Sequence, residues 1–271
     1  MWPDENALVA AARALAADAL PAYFVALPLA LLIVAAAWWL AQRYARSSWR
    51  ANATPQRRIA IDVGLRLAPV IVGIAIFASI AGEIGPGEEL VRLDQAFSEA
   101  VGRSISETTR VAFANVTHLG DPKTLVALAV VVAIALFARG ERRLALIWTV
   151  ALAGSGVLNP ALKSVFERAR PLHEHGPPLA QGWSFPSGHS SGSIVAYSML
   201  AWLVIQRLPV RWHLPAVLAA TAIVFSVGCS RVFIQAHFAS DVVAGFASGG
   251  AWLALCLAGI AWLRERRATP D

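Results

Sequence analysis

Residues Leu119–Ala138 read LGDPKTLVALAVVVAIALFA, and from Leu125 onward the stretch contains no charged side chain. A helix needs about 20 predominantly apolar residues to cross the hydrocarbon core of a bilayer. The stretch has that length and stops at Arg139, with Arg142 and Arg143 close behind it. An apolar block that ends in a basic cluster is typical of a transmembrane helix, and we predict one here.

The same pattern recurs along the rest of the chain. Six further apolar blocks have the approximate bounds Ala22–Leu40, Val63–Ala81, Leu144–Leu162, Ser191–Ile205, Leu214–Ser230 and Val242–Leu263. Of the 271 residues, 57% are hydrophobic and 15% are charged, whereas soluble domains are about 25% charged. We therefore predict an all-α fold, a polytopic transmembrane helical bundle of about seven spans.

The formal net charge of +6 raises the question of a nucleic-acid partner. Most basic residues instead lie in short loops between the apolar blocks, where positive charge marks the cytoplasmic side. These residues are Arg43, Arg46, Arg50, Arg57, Arg58, Arg139, Arg142, Arg143, Arg207, Arg211, Arg264, Arg266 and Arg267. We predict no nucleic-acid partner. The amphipathic, acidic segment 83–118 and the loops 163–190 and 231–241 then face outward.

Polar and ionisable residues cluster at the outward ends of the predicted spans. In chain order the clusters are Lys163 with Arg170, then Ser187, Gly188 and His189, then Arg231 with His237 and Asp241. Ionisable groups at membrane depth are costly and are functional candidates by default. A single basic residue at a span end is usually an anchor, but anchors need no histidine partners. Three clusters on one face predict a common site.

The residue types in these clusters suit an anion that is attacked by a histidine. Arginine can grip two phosphate oxygens at once, and the free N–H groups at a helix start favour an anion. His237 and Asp241 are four residues apart, so on a helix they share one face. The aspartate can hold one ring nitrogen and leave the other free to attack, while His189 serves as a general acid.

Three motifs in this order resemble the type 2 phosphatidic acid phosphatase superfamily. They are K-x6-RP at Lys163, Arg170 and Pro171, PSGH at 186–189, and SR-x5-H-x3-D at Ser230, Arg231, His237 and Asp241. The resemblance covers about residues 119–263. It implies that His237 forms a phosphohistidine, that Asp241 orients it and that His189 protonates the leaving group. It further implies phosphate binding by Lys163, Arg170, Ser187, Gly188 and Arg231, with no metal or other cofactor.

The resemblance also divides the chain and suggests its substrate. The expected parts are 1–82 with a short helix and two spans, the outer segment 83–118, a five-span phosphatase core at 119–263 and a cytoplasmic tail at 264–271. A bacterial inner-membrane enzyme with an extracytoplasmic site would hydrolyse a lipid phosphate. The candidates are undecaprenyl pyrophosphate, phosphatidylglycerophosphate, phosphatidic acid and diacylglycerol pyrophosphate.

Other interpretations remain open at the level of sequence. The same phosphohistidine could pass its phosphate to a lipid or glycan acceptor, and a degenerate site would leave a lipid-binding or transport protein. His173 and His175 have the spacing of two metal ligands, but a third ligand is missing, and we favour a solvated loop or a headgroup contact. Arg168 lies beside Glu167, and we interpret the two as a surface ion pair of little energetic value.

Overall fold

The computed structural model describes residues 7–47, 52, 54–171 and 182–268, and within these ranges the chain forms α-helices and no β-strand. The α-helices are α1 Ala7–Ala17, α2 Ala19–Ala45, α3 Pro55–Gly82, α4 Glu89–Ser104, α5 Glu107–Thr117, α6 Pro122–Ala138, α7 Arg142–Phe166, α8 Gly188–Arg207, α9 His213–Phe233 and α10 Ala239–Ala268. His173 and His175 lie outside the described residues. The predicted all-α, polytopic bundle is confirmed.

Six helical stretches in the described part are long and apolar enough to cross a membrane. They are Ala19–Ala45, Gln56–Gly82, Glu107–Ala138, Arg142–Phe166, Val210–Phe233 and Ala239–Leu263. The remaining predicted block, Ser191–Ile205, lies in α8, which forms a helix but opens with the polar sequence GHSSGS. Ser190, Ser191 and Ser193 of α8 are buried, so their hydroxyls face protein and the helix needs less apolar surface.

The outer segment 83–118 contains two helices with different surroundings. Its second helix, α5, continues through the 3₁₀ turn His118–Gly120 into α6, and Glu107–Ala138 together is one of the six candidate spans. Its first helix, α4, packs against α1 and buries Asp94 as well as Val101. The division of the chain into the four predicted parts stays a prediction.

Helix α10 carries the G-x-x-x-G pair at Gly245 and Gly249, which brings α8 close to it. A Cβ atom on Gly245 would lie 2.6 Å from the carbonyl oxygen of Ser187, and one on Gly249 would lie 2.7 Å from that of Ser191. Small residues at such spacing let two helix backbones approach. The backbone N–H of Ser187 also donates to the carbonyl oxygen of Asp241 at 2.9 Å. The starts of α8 and α10 are thereby held side by side.

Two tryptophans fix α6 and α7 beside this pair. Trp148 of α7 is fully buried, and its indole N–H donates to the carbonyl oxygen of Ala129 in α6 at 2.9 Å. Trp252 of α10 donates to the carbonyl oxygen of Ala151 in α7 at 2.8 Å. Inside a bilayer such hydrogen bonds satisfy polar groups that lipid cannot. They lock α6, α7 and α10 in register beside α8.

Candidate active site

A cavity of about 1120 Å³ opens at the end of the bundle where α7 ends and α8 begins. Six of the eight predicted site residues line it, namely Lys163, Arg170, Gly188, His189, Arg231 and His237. The other two, Ser187 and Asp241, are fully buried beside it. Residues from four separate parts of the chain therefore meet at one space. The catalytic and binding roles assigned to them stay predictions.

His237 lies in the short loop between α9 and α10 and is 2% exposed. Its Nε2 lies 3.2 Å from Nη1 of Arg170, while its Nδ1 lies 3.4 Å from Oδ2 of Asp241. A guanidinium has only donors, so Nε2 of the neutral ring must accept and Nδ1 must carry the proton. Burial lowers the pKa of His237 from 6.5 to about 3, and Asp241 only partly opposes this shift. The ring is neutral at neutral pH.

Asp241 stands in the first turn of α10 and is saturated with donors. Its Oδ1 accepts from Nη1 of Arg168 at 2.7 Å, and its Oδ2 accepts from the backbone N–H of Phe238 at 3.0 Å. The hydroxyl of Ser184 also donates to Oδ2 and lies 3.3 Å from Nδ1 of His237. Ser184 was missed by the sequence reasoning. Its hydroxyl lies beside both the aspartate and the ring and joins them in one buried network.

Arg168 is 8% exposed, so its interpretation as half of a surface ion pair with Glu167 is wrong. Glu167 ends α7 in a left-handed conformation with φ of 44°, and the chain leaves the helix direction at that point. The guanidinium of Arg168 then bridges two buried carboxylates, Asp241 at 2.7 Å and Asp94 at 2.8 Å. It also stacks over the ring of Phe238, 4.4 Å from the ring centre.

Asp94 brings α4 into this network, and sequence reasoning did not single it out. Its Oδ1 accepts from the backbone N–H of Ser240 at 3.2 Å, and its Oδ2 accepts from the Ser240 hydroxyl. A usable signal exists in the sequence, because Asp94, Phe97 and Val101 follow the spacing of one helical face. An acidic residue on an otherwise apolar face indicates a buried partner.

Lys163 and Arg170 hold the loop that precedes α8. Arg170 donates from Nε to the carbonyl oxygen of Gly182 at 2.9 Å and from Nη1 to that of Ala236 at 2.6 Å. Lys163 donates from Nζ to the carbonyl oxygens of Trp183 and, at 3.4 Å, of Ser184. Burial lowers the pKa of Arg170 from its ordinary value, but an arginine stays cationic in proteins. Two positive charges thus face one cavity.

Arg231 supplies the third positive charge from the last turn of α9. It is 4% exposed and donates from Nη1 to the hydroxyl of Thr117 at 2.8 Å. Its Nε is buried without a hydrogen-bond partner among the described residues. A buried donor that lacks a partner costs stability, and an anion in the cavity would satisfy it.

Ser187 and Gly188 lie at the start of α8, where the resemblance implies that their backbone binds phosphate. The hydroxyl of Ser187 caps α8, accepting from the backbone N–H of Ser190 at 3.4 Å and from its hydroxyl at 3.0 Å. A Cβ atom on Gly188 would lie 2.8 Å from Oδ1 of Asn159. Because the backbone N–H of Ser187 donates to Asp241, a backbone contact with phosphate is left to Gly188.

His189 follows in the first turn of α8 and has a carboxylate of its own. Its Nε2 lies 2.8 Å from Oδ1 of Asp121, whose Oδ2 lies 2.7 Å from Nδ1 of His118. Neither His118 nor Asp121 belongs to the site that the sequence predicted. Asp121 precedes Pro122 at the start of α6 and makes no side-chain cap there, so its carboxylate is available to the two rings.

Comparisons with known proteins show which proteins this chain resembles. The family model described as the PAP2 superfamily matches residues 144–265, which include all three motifs. Phosphatidylglycerophosphatase B of Bacillus subtilis (strain 168) is 31% identical over 163 residues, 58% of this chain and 77% of the relative. Lipid A 1-phosphatase of Rhizobium etli is 36% identical over 113 residues, 38% of this chain and 44% of the relative.

A solved structure is similar over a larger part of the chain. The crystal structure of a transmembrane PAP2-type phosphatidylglycerolphosphate phosphatase from Bacillus subtilis superposes with a TM-score of 0.64 at 28% identity. The superposition covers 71% of this chain and 95% of the other. The shared region therefore extends well beyond the motifs to the bundle that carries them.

Proposed function

We propose, from the premise that this chain belongs to the PAP2 superfamily, that it hydrolyses a lipid phosphate through a phosphohistidine at His237. Membership makes the chain a membrane lipid phosphatase, that is, a phosphoric ester hydrolase. Its apolar helices and its bacterial relatives identify it as a multi-pass bacterial membrane protein. The proposal adds the phosphohistidine intermediate, the lipid substrate and the side of the membrane that the site faces.

In the first half of the reaction, Nε2 of His237 attacks phosphorus, the bond from phosphorus to the lipid oxygen breaks, and His189 gives its proton to that oxygen. Arg170 moves its Nη1 from Nε2 to a phosphate oxygen and so frees the lone pair of the ring. Asp241 accepts from Nδ1 and stabilises the charge that the ring acquires, the orienting logic of a catalytic triad. Lys163, Arg170 and Arg231 stabilise the equatorial oxygens, the electrostatic contribution that dominates phosphoryl transfer.

In the second half, water attacks the phosphohistidine. The ring of His189, now neutral, accepts a proton from the attacking water. The water oxygen bonds to phosphorus, the bond between phosphorus and Nε2 breaks, and phosphate leaves. Both histidines return to their starting protonation states.

The observation that carries this proposal is the neutral, oriented ring of His237. Its Nε2 accepts from Arg170 at 3.2 Å at the wall of a cavity lined by three cations. A lone pair beside an anion site is what a nucleophile for phosphorus requires. A purely structural histidine needs neither the cavity nor the cations.

The substrate we propose is a phosphate monoester or pyrophosphate of a lipid, with phosphatidylglycerophosphate as the first candidate. The Bacillus relative of which the chain covers 77% is named for that activity. Beyond the charged end, the cavity is lined by apolar residues such as Leu125, Val126, Val130 and Leu152. These side chains suit an alkyl chain. Undecaprenyl pyrophosphate, phosphatidic acid and diacylglycerol pyrophosphate remain the other lipids to test.

We place the site at the extracytoplasmic face of the inner membrane. The arginine-rich loops lie at the opposite end of the helices from the cavity, because α7 runs from Arg142 to Lys163 and α8 runs from His189 to Arg207. Basic loops stay in the cytoplasm as a rule. The site then faces the compartment in which carrier lipids of the cell envelope are recycled.

A phosphate-release assay tests the proposal. The purified full chain is incubated in detergent and EDTA with each of the four lipids, and we expect release from at least one. His237→Asn should abolish release, whereas the matched variant His213→Asn, at the other end of the bundle, should keep it. Silence across the four lipids contradicts a hydrolase for these substrates. Recovery of labelled phosphate on a lipid or glycan instead of in water identifies a phosphotransferase.

A further inference from the structure

Asp121 and His189 form a second histidine–carboxylate pair at the cavity that His237 also lines. Oδ1 of Asp121 lies 2.8 Å from Nε2 of His189. In the described part of the chain this is the one hydrogen bond of the His189 ring, so Nδ1 has no protein partner there. Both His189 and Asp121 line the cavity.

We infer that Asp121 is a positioning residue that keeps a proton on Nε2 of His189, so that His189 exchanges its proton with the substrate through Nδ1. The inference rests on the proposed role of His189 as general acid and names the atom that performs it. An ionised carboxylate can only accept hydrogen bonds, so the nitrogen facing Asp121 must be the donor in both protonation states of the ring. Proton gain and loss then occur at Nδ1.

The two histidines of the site are therefore held by opposite nitrogens. His237 is held at Nδ1 by Asp241 and presents Nε2, while His189 is held at Nε2 by Asp121 and presents Nδ1. In the first step Nε2 of His237 bonds to phosphorus, the bond from phosphorus to the lipid oxygen breaks, and the proton on Nδ1 of His189 moves to that oxygen. In the second step a proton of water returns to Nδ1.

His118 fixes the other oxygen of the same carboxylate. Its Nδ1 lies 2.7 Å from Oδ2 of Asp121, and its side chain is 68% exposed. With one oxygen engaged by each ring, the carboxylate cannot rotate away from His189. Asp121 itself is one-third exposed, so the pair can form without sealing the cavity against substrate. His118 supports Asp121 and makes no direct contact with His189.

The sharpest test compares two leaving groups on the same chain length. An alkyl alcohol must be protonated as it leaves, whereas a nitrophenol leaves without a proton. With dodecyl phosphate, we expect Asp121→Asn to lower the rate of phosphoenzyme formation by about 10²-fold, the loss expected when general acid catalysis is removed. With 4-dodecyl-2-nitrophenyl phosphate, the same variant should form phosphoenzyme nearly as fast as wild type.

The matched controls separate positioning from folding. Asp18→Asn makes the same chemical change outside the site and should leave both substrates unaffected. His118→Gln should lower the dodecyl phosphate rate less than Asp121→Asn does, and the double variant should equal Asp121→Asn. An equal loss on both substrates, or no loss on either, overturns the inference.

A spectroscopic measurement decides the atom without relying on turnover. ¹⁵N NMR of the histidine rings, with His189 assigned from the His189→Asn variant, should report the Nε2–H tautomer in wild type and a mixture in Asp121→Asn. A pure Nδ1–H tautomer in wild type, or an unchanged spectrum in Asp121→Asn, refutes the inference. If wild type releases phosphate from neither substrate, the proposed function fails, while this measurement still decides the role of Asp121.

Discussion

The two halves of the site hold their histidines in different surroundings. His237 is 2% exposed, and its carboxylate partner is enclosed by Arg168, Ser184 and the backbone of Phe238. The His189 side chain is 16% exposed, and its partner Asp121 is reached from the open side by His118. One half is closed and rigid, whereas the other is open towards the cavity.

This difference matches what each half must do. A nucleophile gains from desolvation and from a fixed ring, since no reorganisation is then needed when phosphorus arrives. The histidine that protonates the leaving lipid and then accepts a proton from water must be accessible to both molecules. Substitutions in the two halves should therefore affect different steps of the reaction.

The largest effect should come from His237→Asn. Without Nε2 no phosphoenzyme can form, so turnover should fall by at least about 10⁴-fold for every substrate. His189→Asn should instead preserve phosphoenzyme formation from a nitrophenyl phosphate while blocking its hydrolysis. Trapping radiolabelled phosphate on acid-quenched protein measures both. If radiolabelled phosphate accumulates on the His237→Asn protein, His237 is not the nucleophile and the two halves do not have separate roles.

Arg170→Lys should reduce kcat/KM by about 10²-fold. Arg170 ties the loop at Gly182 to the carbonyl of Ala236 and also faces His237, a geometry that requires the planar fork of a guanidinium. Lysine keeps the charge and loses the fork. Steady-state kinetics of phosphate release measures this effect. As a control, Lys123→Arg makes the reverse exchange at the start of α6 and should leave the kinetics unchanged. Wild-type kinetics would reduce Arg170 to an anchor.

Asp94→Asn should lower kcat about tenfold, equivalent to about 1.4 kcal/mol and close to the value of a hydrogen bond to a charged group. The change leaves Arg168 with Asp241 alone, which draws more of the negative charge of Asp241 away from His237. KM should change little, because Asp94 does not line the cavity. A raised KM with unchanged kcat would contradict this route.

The smallest signal is expected from the His237 ring during a pH titration. Only the neutral ring can attack, and it is lost as pH falls through a pKa of about 3. The ring resonances of His237, assigned from His237→Asn, should therefore stay constant between pH 8 and 5. A midpoint near 6.5 would show that the closed half is as solvated as an exposed histidine.

The sequence predicted the helices well, and it also predicted which residues meet at the site. Apolar block lengths are set by bilayer thickness, which is why each predicted span appears as a helix. The gathering of Lys163, Arg170, Arg231 and the two histidines at one end followed from alternating loop charge.

The residues that hold the two histidines in place, such as Arg168, Asp94 and Asp121, could not be predicted from the sequence for a physical reason. Arg168 and Asp94 are 74 positions apart, and His189 and Asp121 are 68 apart. Such contacts depend on how helices pack, which no local periodicity encodes. The polar start of α8 illustrates the same limit, because its serines are acceptable in a membrane only where protein surrounds them.

The bridge from Arg168 to Asp94 has a consequence for anyone who wishes to trim this enzyme. The matched family region begins at residue 144, and a shortened chain starting there would retain every motif. It would also enclose the guanidinium of Arg168 with a single counter-ion, because Asp94 belongs to the deleted portion. Chimeras that graft the motif region onto foreign N-terminal helices should therefore carry an acidic residue at the place of Asp94.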